Sequence, residues 1–71
     1  MQFIFSMYIS FKDFLPYYQG TVKNVEVKDV NGKILHINGK YFRPFVTTSG
    51  IHGQFILRLE SSGKFISLNK I

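Results

Sequence analysis

The sequence predicts an α+β fold that is mainly β, a small antiparallel sheet of about five strands curled into a partly open barrel with one short helix in its N-terminal half. Apolar and polar residues alternate in several short segments, which is typical of half-buried strands, whereas one segment has helical spacing. The 71 residues include eight Phe and 45% hydrophobic residues, which indicates one ordered domain, residues 1–71. The predicted order is one strand, the helix and then four strands.

The first strand is predicted over residues 3–9, because four apolar residues there share one face. Ser10 then occupies an N-cap position with Asp13 three residues later, so a helix is expected to begin at Phe11. Pro16 would remove one helical hydrogen bond, and Gly20 favours a left-handed C-cap. The sequence therefore predicts a short or kinked helix.

The apolar residues of this helix follow the spacing i, i+3, i+4, i+7, which predicts one stripe that faces the core. The stripe contains Phe11, Phe14, Leu15 and Tyr18. Tyr17 lies about 100° from Tyr18 around the helix and is expected near solvent.

A second strand is predicted from Thr21 to Asp29, with a bulge near Lys23 and Asn24, and a hairpin follows it. A two-residue turn would place valines opposite Asn38 and His36. A three-residue loop of residues 30–32, with Gly32 left-handed, instead pairs apolar residues with each other. The predicted pairs are Val27 with Leu35, Val25 with Ile37, and Asp29 with Lys33, which leaves His36 outside.

Residues 39–50 are too polar and too rich in glycine, proline and threonine for a central strand. We predict a helical turn from Lys40 to Arg43 and an extended segment from Pro44 onward, because the residue before proline avoids the helical region.

The last two strands are predicted to form a hairpin. Residues 51–60 alternate cleanly, and residues 61–64 turn the chain into the final strand. Matching the apolar faces pairs Leu57 with Leu68 and Leu59 with Ile66.

The sequence carries no catalytic or metal-binding motif. Cysteine is absent, and neither His36 nor His52 has neighbours that complete a metal or nucleophile pattern. We therefore expect no enzymatic activity, no cofactor and no metal. No apolar run reaches the roughly 18 residues of a membrane span, and no secretion signal is recognised, so we expect a cytoplasmic protein without a membrane partner.

The strongest candidate for a ligand site is the segment YFRPF, residues 41–45. Arg43 could bind a phosphate or carboxylate in a fork, with Lys40 beside it, while Tyr41 or Tyr17 stacks on a planar group. The guanidinium could equally hold loop carbonyls in place and stack on a ring of the protein itself. Both interpretations of Arg43 stay open at this point.

Five apolar residues fall on the outward faces of the predicted strands, and together they could form an interface for a second copy or for a protein partner. These candidate interface residues are Ile4, Tyr8, Ile34, Ile56 and Phe65.

Four blocks of the sequence resemble a family of short bacterial proteins known as domain of unknown function 2835. The blocks are FLPYYQG (14–20), FRPF (42–45), TTSGIHGQF (47–55) and KFISL (64–68). The recurring family positions correspond to Leu15, Tyr18, Gly20, Arg43, Pro44, Phe45, Gly50, Gly53, Phe55, Lys64, Phe65 and Leu68. The chain departs from the usual Pro-Ala of the family at Asn38-Gly39. The resemblance implies no activity.

Two functions are compatible with these observations. The first is a small noncatalytic binding or adaptor module that acts through protein contacts, as the apolar outward residues suggest. The alternative is a weak nucleic-acid or anionic-ligand binder of small-barrel type that uses Arg43 and nearby aromatic residues. The net charge of +5 favours the alternative, although the basic residues are dispersed along the chain.

Overall fold

The computed structural model describes residues 1–71 and contains five strands, one α-helix and one 3₁₀ helix. In chain order these are β1 (Gln2–Ile9), α1 (Phe11–Tyr18), β2 (Asn24–Lys28), β3 (Ile34–Asn38), the 3₁₀ helix (Gly39–Phe45), β4 (Ile51–Leu59) and β5 (Phe65–Lys70). The strands form two antiparallel sheets, β1-β4-β5 and β2-β3. The mainly-β class is confirmed. The single sheet of the prediction is wrong, and the two sheets do not form a closed barrel.

The three-stranded sheet is built on β4, which pairs with β1 along its whole length, from Ile51 opposite Ile9 to Arg58 opposite Gln2. On its other side β4 pairs with β5, and Leu57 lies opposite Leu68 as predicted. A register shift after Arg58 then places Leu59 opposite Phe65.

The predicted pairing of Leu59 with Ile66 is therefore wrong. The irregularity leaves Ile66 exposed and turns Phe65 inward, where it packs against the core. The phenylalanine ring is partly buried in place of the isoleucine side chain, and a pattern of strict alternation could not show this.

Helix α1 begins and ends as the sequence predicted. The Ser10 hydroxyl accepts a hydrogen bond from the Asp13 N–H at 3.1 Å and caps the first turn. At the other end the Thr21 N–H donates to the Pro16 carbonyl at 2.9 Å and the Gly20 N–H donates to the Tyr17 carbonyl. Gly20 has a φ of 82°, so this is a Schellman cap with glycine in the left-handed position.

The face that α1 turns to the core differs from the prediction. Phe14 is buried, but Phe11 and Tyr18 are 42% and 47% exposed. Tyr17 packs against the core instead and stacks on Phe14, with ring centroids 5.8 Å apart. Gly39 makes this possible, because a Cβ at that position would lie only 2.9 Å from the Tyr17 Cβ.

The β2-β3 hairpin has the predicted register, with Val25 opposite Ile37 and Val27 opposite Leu35. Asp29 organises the loop: its buried carboxylate accepts hydrogen bonds from the N–H groups of Asn31, at 3.0 Å, and Lys33, at 2.7 Å. Gly32 has a φ of 84°, as predicted.

The second strand begins later than the sequence predicted. Pairing in the hairpin starts at Asn24, and residues 21–23 belong to the loop that follows the helix cap. The predicted start at Thr21 and the predicted bulge at Lys23 and Asn24 are therefore wrong.

The 3₁₀ helix is longer than the predicted turn and includes Pro44, so the extended segment begins only at Val46. A 3₁₀ helix has three residues per turn, which places Phe42 and Phe45 on the same side. Phe42 is buried and Phe45 packs against the core. Burial of both rings accounts for the continued helix.

Three phenylalanines form the centre of the core. Phe5 and Phe55 lie opposite each other on β1 and β4 and stack with centroids 5.7 Å apart. Phe42 packs edge-on against both, at 6.2 Å from Phe5 and 6.0 Å from Phe55. Side chains from both sheets and from α1 complete this cluster: Phe14, Val25, Val27, Leu35, Ile37, Ile51, Leu57 and Leu68.

We expect Gly50→Ala to lower the free energy of unfolding by more than about 3 kcal/mol. Gly50 has a φ of 110°, and a Cβ there would overlap the Ile9 carbonyl oxygen and lie 2.7 Å from the Phe11 nitrogen. Gly63→Ala is the matched control, because its φ is 91° but the space around it is open. The control should lose only about 1–2 kcal/mol in urea denaturation, and equal losses would contradict the steric explanation.

Candidate functional site

A basic depression lies where the end of α1, the loop that follows it and the 3₁₀ helix meet. Its volume is about 300 Å³. The lining residues are Tyr17, Gly20, Val22, Lys23, Asn38, Lys40 and Arg43. The fold thus brings together three of the four predicted ligand-site residues: Tyr17, Lys40 and Arg43. The fourth, Tyr41, does not line the depression.

The three-residue period of the 3₁₀ helix places two basic residues on the side of the helix that lines this depression. Lys40 and Arg43 are three residues apart and therefore lie on the same side of the helix. Phe42 and Phe45 occupy another side and pack into or against the core. Burial of the two rings thus fixes the direction in which both cations project.

Lys23 is the one cation of the depression that sequence reasoning missed. Three further lining residues were not predicted as site residues either: Gly20, Val22 and Asn38. The Schellman cap redirects the chain after α1, and the Lys23 carbonyl then accepts a hydrogen bond from the Gly39 N–H at 2.8 Å. This bond fixes Lys23 beside the first residue of the 3₁₀ helix. The predicted hairpin register carries the signal for this proximity, because its continuation past Asn24 opposite Asn38 places Lys23 opposite Gly39.

The depression concentrates positive charge that was dispersed along the sequence. Three of its seven lining residues are cationic, and none is acidic. The only carboxylate within 4.0 Å of a basic side-chain nitrogen is that of Glu26, at 3.9 Å from His36 Nε2, so the three cations have no carboxylate partner. Asn38 adds a side-chain amide, whose oxygen accepts a hydrogen bond from the Lys40 N–H at 3.0 Å.

Arg43 has a partner within the protein and also has free donors. Its Nη2 donates to the Tyr18 carbonyl at 3.0 Å, and its guanidinium lies over the Tyr18 ring at 5.4 Å from the centroid. The side chain thereby connects the 3₁₀ helix to the end of α1, where a cation also suits the helix dipole. A guanidinium has five N–H donors, so most remain free for a ligand.

Neither of the two predicted stacking rings has both faces free. Tyr17 is half-buried and stacks on Phe14. Tyr41 stacks almost in parallel on Phe65, with centroids 3.6 Å apart and an interplanar angle of 6°. Lys40 Nζ also lies 5.1 Å from the centre of the Tyr41 ring. Each ring therefore has at most one face free to stack on a planar group, and stacking by Tyr17 stays a prediction.

The five predicted interface residues do not form one patch. Ile4, Tyr8 and Ile56 share the outer face of the three-stranded sheet, where Ile4 lies opposite Ile56. Tyr8 is 78% exposed and stacks on His52. Self-association through this face stays a prediction.

The other two predicted interface residues lie away from that face, because β3 belongs to the second sheet and the irregularity of β5 turns Phe65 inward. Ile34 and Phe65 both line an apolar groove between the two sheets, which we name the seam groove. Its volume is about 240 Å³. Its lining consists of all five residues of β3 together with Tyr41, Leu57, Leu59, Gly63 and Phe65.

The seam groove could not be predicted from the sequence. It exists because β3 and β5 do not pair, and the spacing of apolar residues along one strand carries no information about that separation.

Two further properties of the structure bear on the kind of site present. No group of three or more His, Cys, Asp or Glu side chains is arranged to hold a metal ion. Neither helix has the length and apolar character that crossing a bilayer requires.

Comparison with protein families gives one match. The model of a family described as protein of unknown function (DUF2835) matches residues 1–71, which is the whole chain. This match confirms the resemblance indicated by the four sequence blocks. No curated protein and no solved structure matches the chain.

We expect Arg43→Ala to lower the free energy of unfolding by about 1–2 kcal/mol, because the hydrogen bond to the Tyr18 carbonyl and the contact with the Tyr18 ring are lost. In a chain of this size, the loss corresponds to a fall in Tm of at least about 4 °C, measured by circular dichroism. Lys23→Ala is the control, since the Lys23 side chain makes no hydrogen bond or ion pair, and its Tm should change little. An unchanged Tm for Arg43→Ala would show that Arg43 has no structural role.

Proposed function

The chain belongs to the family described as protein of unknown function (DUF2835), and since that description assigns no activity, we propose that it is a small noncatalytic binding module for an anionic ligand. The observation that carries the proposal is the meeting of Lys23, Lys40 and Arg43 around one depression without a carboxylate partner. In this proposal the two sheets act as a partly open barrel that holds the depression in place, and the protein acts in the cytoplasm.

The electrostatics of the depression favour an anion. Two unit charges 4 Å apart interact by about 1 kcal/mol in bulk water and by about 4 kcal/mol near a protein surface. The three cations repel one another, and a bound anion would offset that repulsion. A guanidinium also matches the geometry of a phosphate or carboxylate through two parallel hydrogen bonds.

The covered rings narrow the class of ligand. Phe14 covers one face of Tyr17 and Phe65 covers one face of Tyr41, so each ring could stack on a planar group through at most one face, and the three cations supply the main ligand-binding chemistry. Recognition would therefore rest on phosphate groups, which are common to all nucleic acid sequences and to smaller phosphate-bearing molecules. A nucleic acid would bind with little sequence preference and with a strong dependence on salt.

A second candidate function, an adaptor that acts through protein contacts, is supported by a different observation. The seam groove has seven apolar residues among its ten lining residues and is open at the surface. Exposed apolar concavities of this kind commonly take part in protein contacts.

We expect a fluorescein-labelled pool of single-stranded DNA 12-mers to bind the protein at low salt. If three phosphates are contacted, a plot of log affinity against log salt concentration should have a slope of about −2. Fluorescence anisotropy over a salt titration measures this slope. The double variant Lys23→Gln/Lys40→Gln should bind at least about tenfold more weakly and show a reduced slope. Inorganic phosphate should compete with the DNA.

The matched control is the double variant Lys12→Gln/Lys28→Gln, which removes two exposed lysines that do not line the depression. Both double variants lower the formal net charge by two, so a general charge effect would weaken both equally. Equal losses, or no binding of the unmodified protein at low salt, would contradict the assignment of the depression as an anion site.

A further inference from the structure

We propose that the seam groove is a docking site for an extended segment of a partner protein, which adds to the free edge of β3 as a further strand. The segment carries apolar side chains that alternate with acidic ones. This inference rests on the second candidate function, and it shares only Lys40 with the basic depression.

The free edge of β3 follows from the hydrogen bonds at the two ends of the hairpin. The Asp29 N–H donates to the Lys33 carbonyl at 2.9 Å, and the Gly39 N–H donates to the Lys23 carbonyl at 2.8 Å. In an antiparallel pair, hydrogen-bonded and non-hydrogen-bonded residue pairs alternate. The end pairs Asp29–Lys33 and Lys23–Gly39 are hydrogen-bonded, so every second residue pair between them is hydrogen-bonded as well. These inner pairs are Val27–Leu35 and Val25–Ile37.

Ile34 and His36 therefore direct their backbone N–H and C=O groups away from β2. β3 pairs with no other strand, and no turn or loop hydrogen bond uses these groups. All five residues of β3 line the seam groove, so the unpaired backbone is open to it. Unpaired N–H and C=O groups in a row are a template for an added strand, as in other complexes formed by strand addition.

The floor and wall of the groove suit apolar side chains of the added strand. Leu35, Ile37 and Leu57 are buried at the base, and Leu59 is half-buried. The stacked pair of Tyr41 and Phe65 forms one wall. Because alternate side chains of a strand point to opposite faces, every second residue of the partner segment would enter this surface.

The charges around the groove favour an acidic partner. Lys33 Nζ lies 5.3 Å from the ring of Phe3, whose strand partner Leu57 lines the groove. Lys40 Nζ lies over the Tyr41 ring, and Lys64 directly precedes Phe65. Glu60 is the one acidic residue in the adjoining β4-β5 turn. A second copy of the chain is disfavoured as the occupant, since each copy carries a net charge of +5.

The opposite seam, between β1 and β2, is less suited to an added strand. There the Val30 N–H donates to the Ile4 carbonyl at 2.8 Å and links the two sheets. The lining of that seam includes Ser6, Glu26 and Lys28. No comparable hydrogen bond closes the seam beside β3.

The test uses a fluorescein-labelled octapeptide of alternating valine and glutamate, with binding measured by fluorescence anisotropy. We expect it to bind the unmodified protein at least about tenfold more tightly than an octapeptide of alternating valine and lysine. His36→Pro should raise the Kd of the glutamate peptide at least about tenfold. Proline at this position removes the N–H that faces the groove and leaves every hydrogen bond to β2 in place.

Glu26→Pro is the matched control, because Glu26 lies opposite His36 and faces the other edge of the same hairpin. It should change the Kd by less than about twofold. Circular dichroism establishes that both variants fold, and Ile34→Glu, at an exposed position of the groove, provides a variant with an intact backbone that should also weaken binding.

Lys23→Gln separates this site from the basic depression, since Lys23 lines the depression and not the groove. It should weaken DNA binding and leave peptide binding unchanged. The proposal is overturned if the glutamate peptide does not bind, if the lysine peptide binds equally well, or if both proline variants lose equal affinity. It is also overturned if Lys23→Gln weakens peptide binding while His36→Pro does not.

Discussion

The packing of Phe42 against Phe5 and Phe55 is the contact on which the rest of the structure depends. A chain of 71 residues can bury only one small core, and here that core must join two separate sheets and an irregular segment. Phe42 comes from the 3₁₀ helix and touches the two central rings of the three-stranded sheet edge-on. This contact anchors the segment that connects the hairpin to β4.

The proposed anion site is a direct product of the same contact. Once Phe42 and Phe45 are directed toward the core, the three-residue period of the helix directs Lys40 and Arg43 to another side. The hydrogen bond from Arg43 to the Tyr18 carbonyl then holds the end of α1 against this helix. Structural and ligand-binding interpretations of Arg43 are therefore not alternatives, since one donor holds the fold and the others remain free.

Much of the fold could be predicted from the sequence, because it depends on hydrogen bonds and backbone conformations of residues that are close together in the chain. The Ser10 cap, the left-handed Gly20 and the hairpin register each depend on residues close together in the chain, and all three are confirmed. The buried face of α1 was not predictable, because eight residues make only two turns and Gly39 decides which ring fits. Of the basic depression, Arg43, Lys40 and Tyr17 were predicted. Lys23 was not, although the hairpin register, continued past Asn24 opposite Asn38, places it opposite Gly39.

The open seams also affect how the molecule fluctuates. A single backbone hydrogen bond, from Val30 to Ile4, links the β2-β3 hairpin to the three-stranded sheet, and the remaining attachment is side-chain packing. The hairpin's own ladder holds the amide protons of the pairs Val25–Ile37 and Val27–Leu35, but not those of Ile34 and His36. This ladder can stay intact when the hairpin separates from the sheet. Such a subglobal opening requires less free energy than complete unfolding. The protein is therefore expected to behave as two cooperative units, and hydrogen exchange would distinguish them despite the small size of the chain.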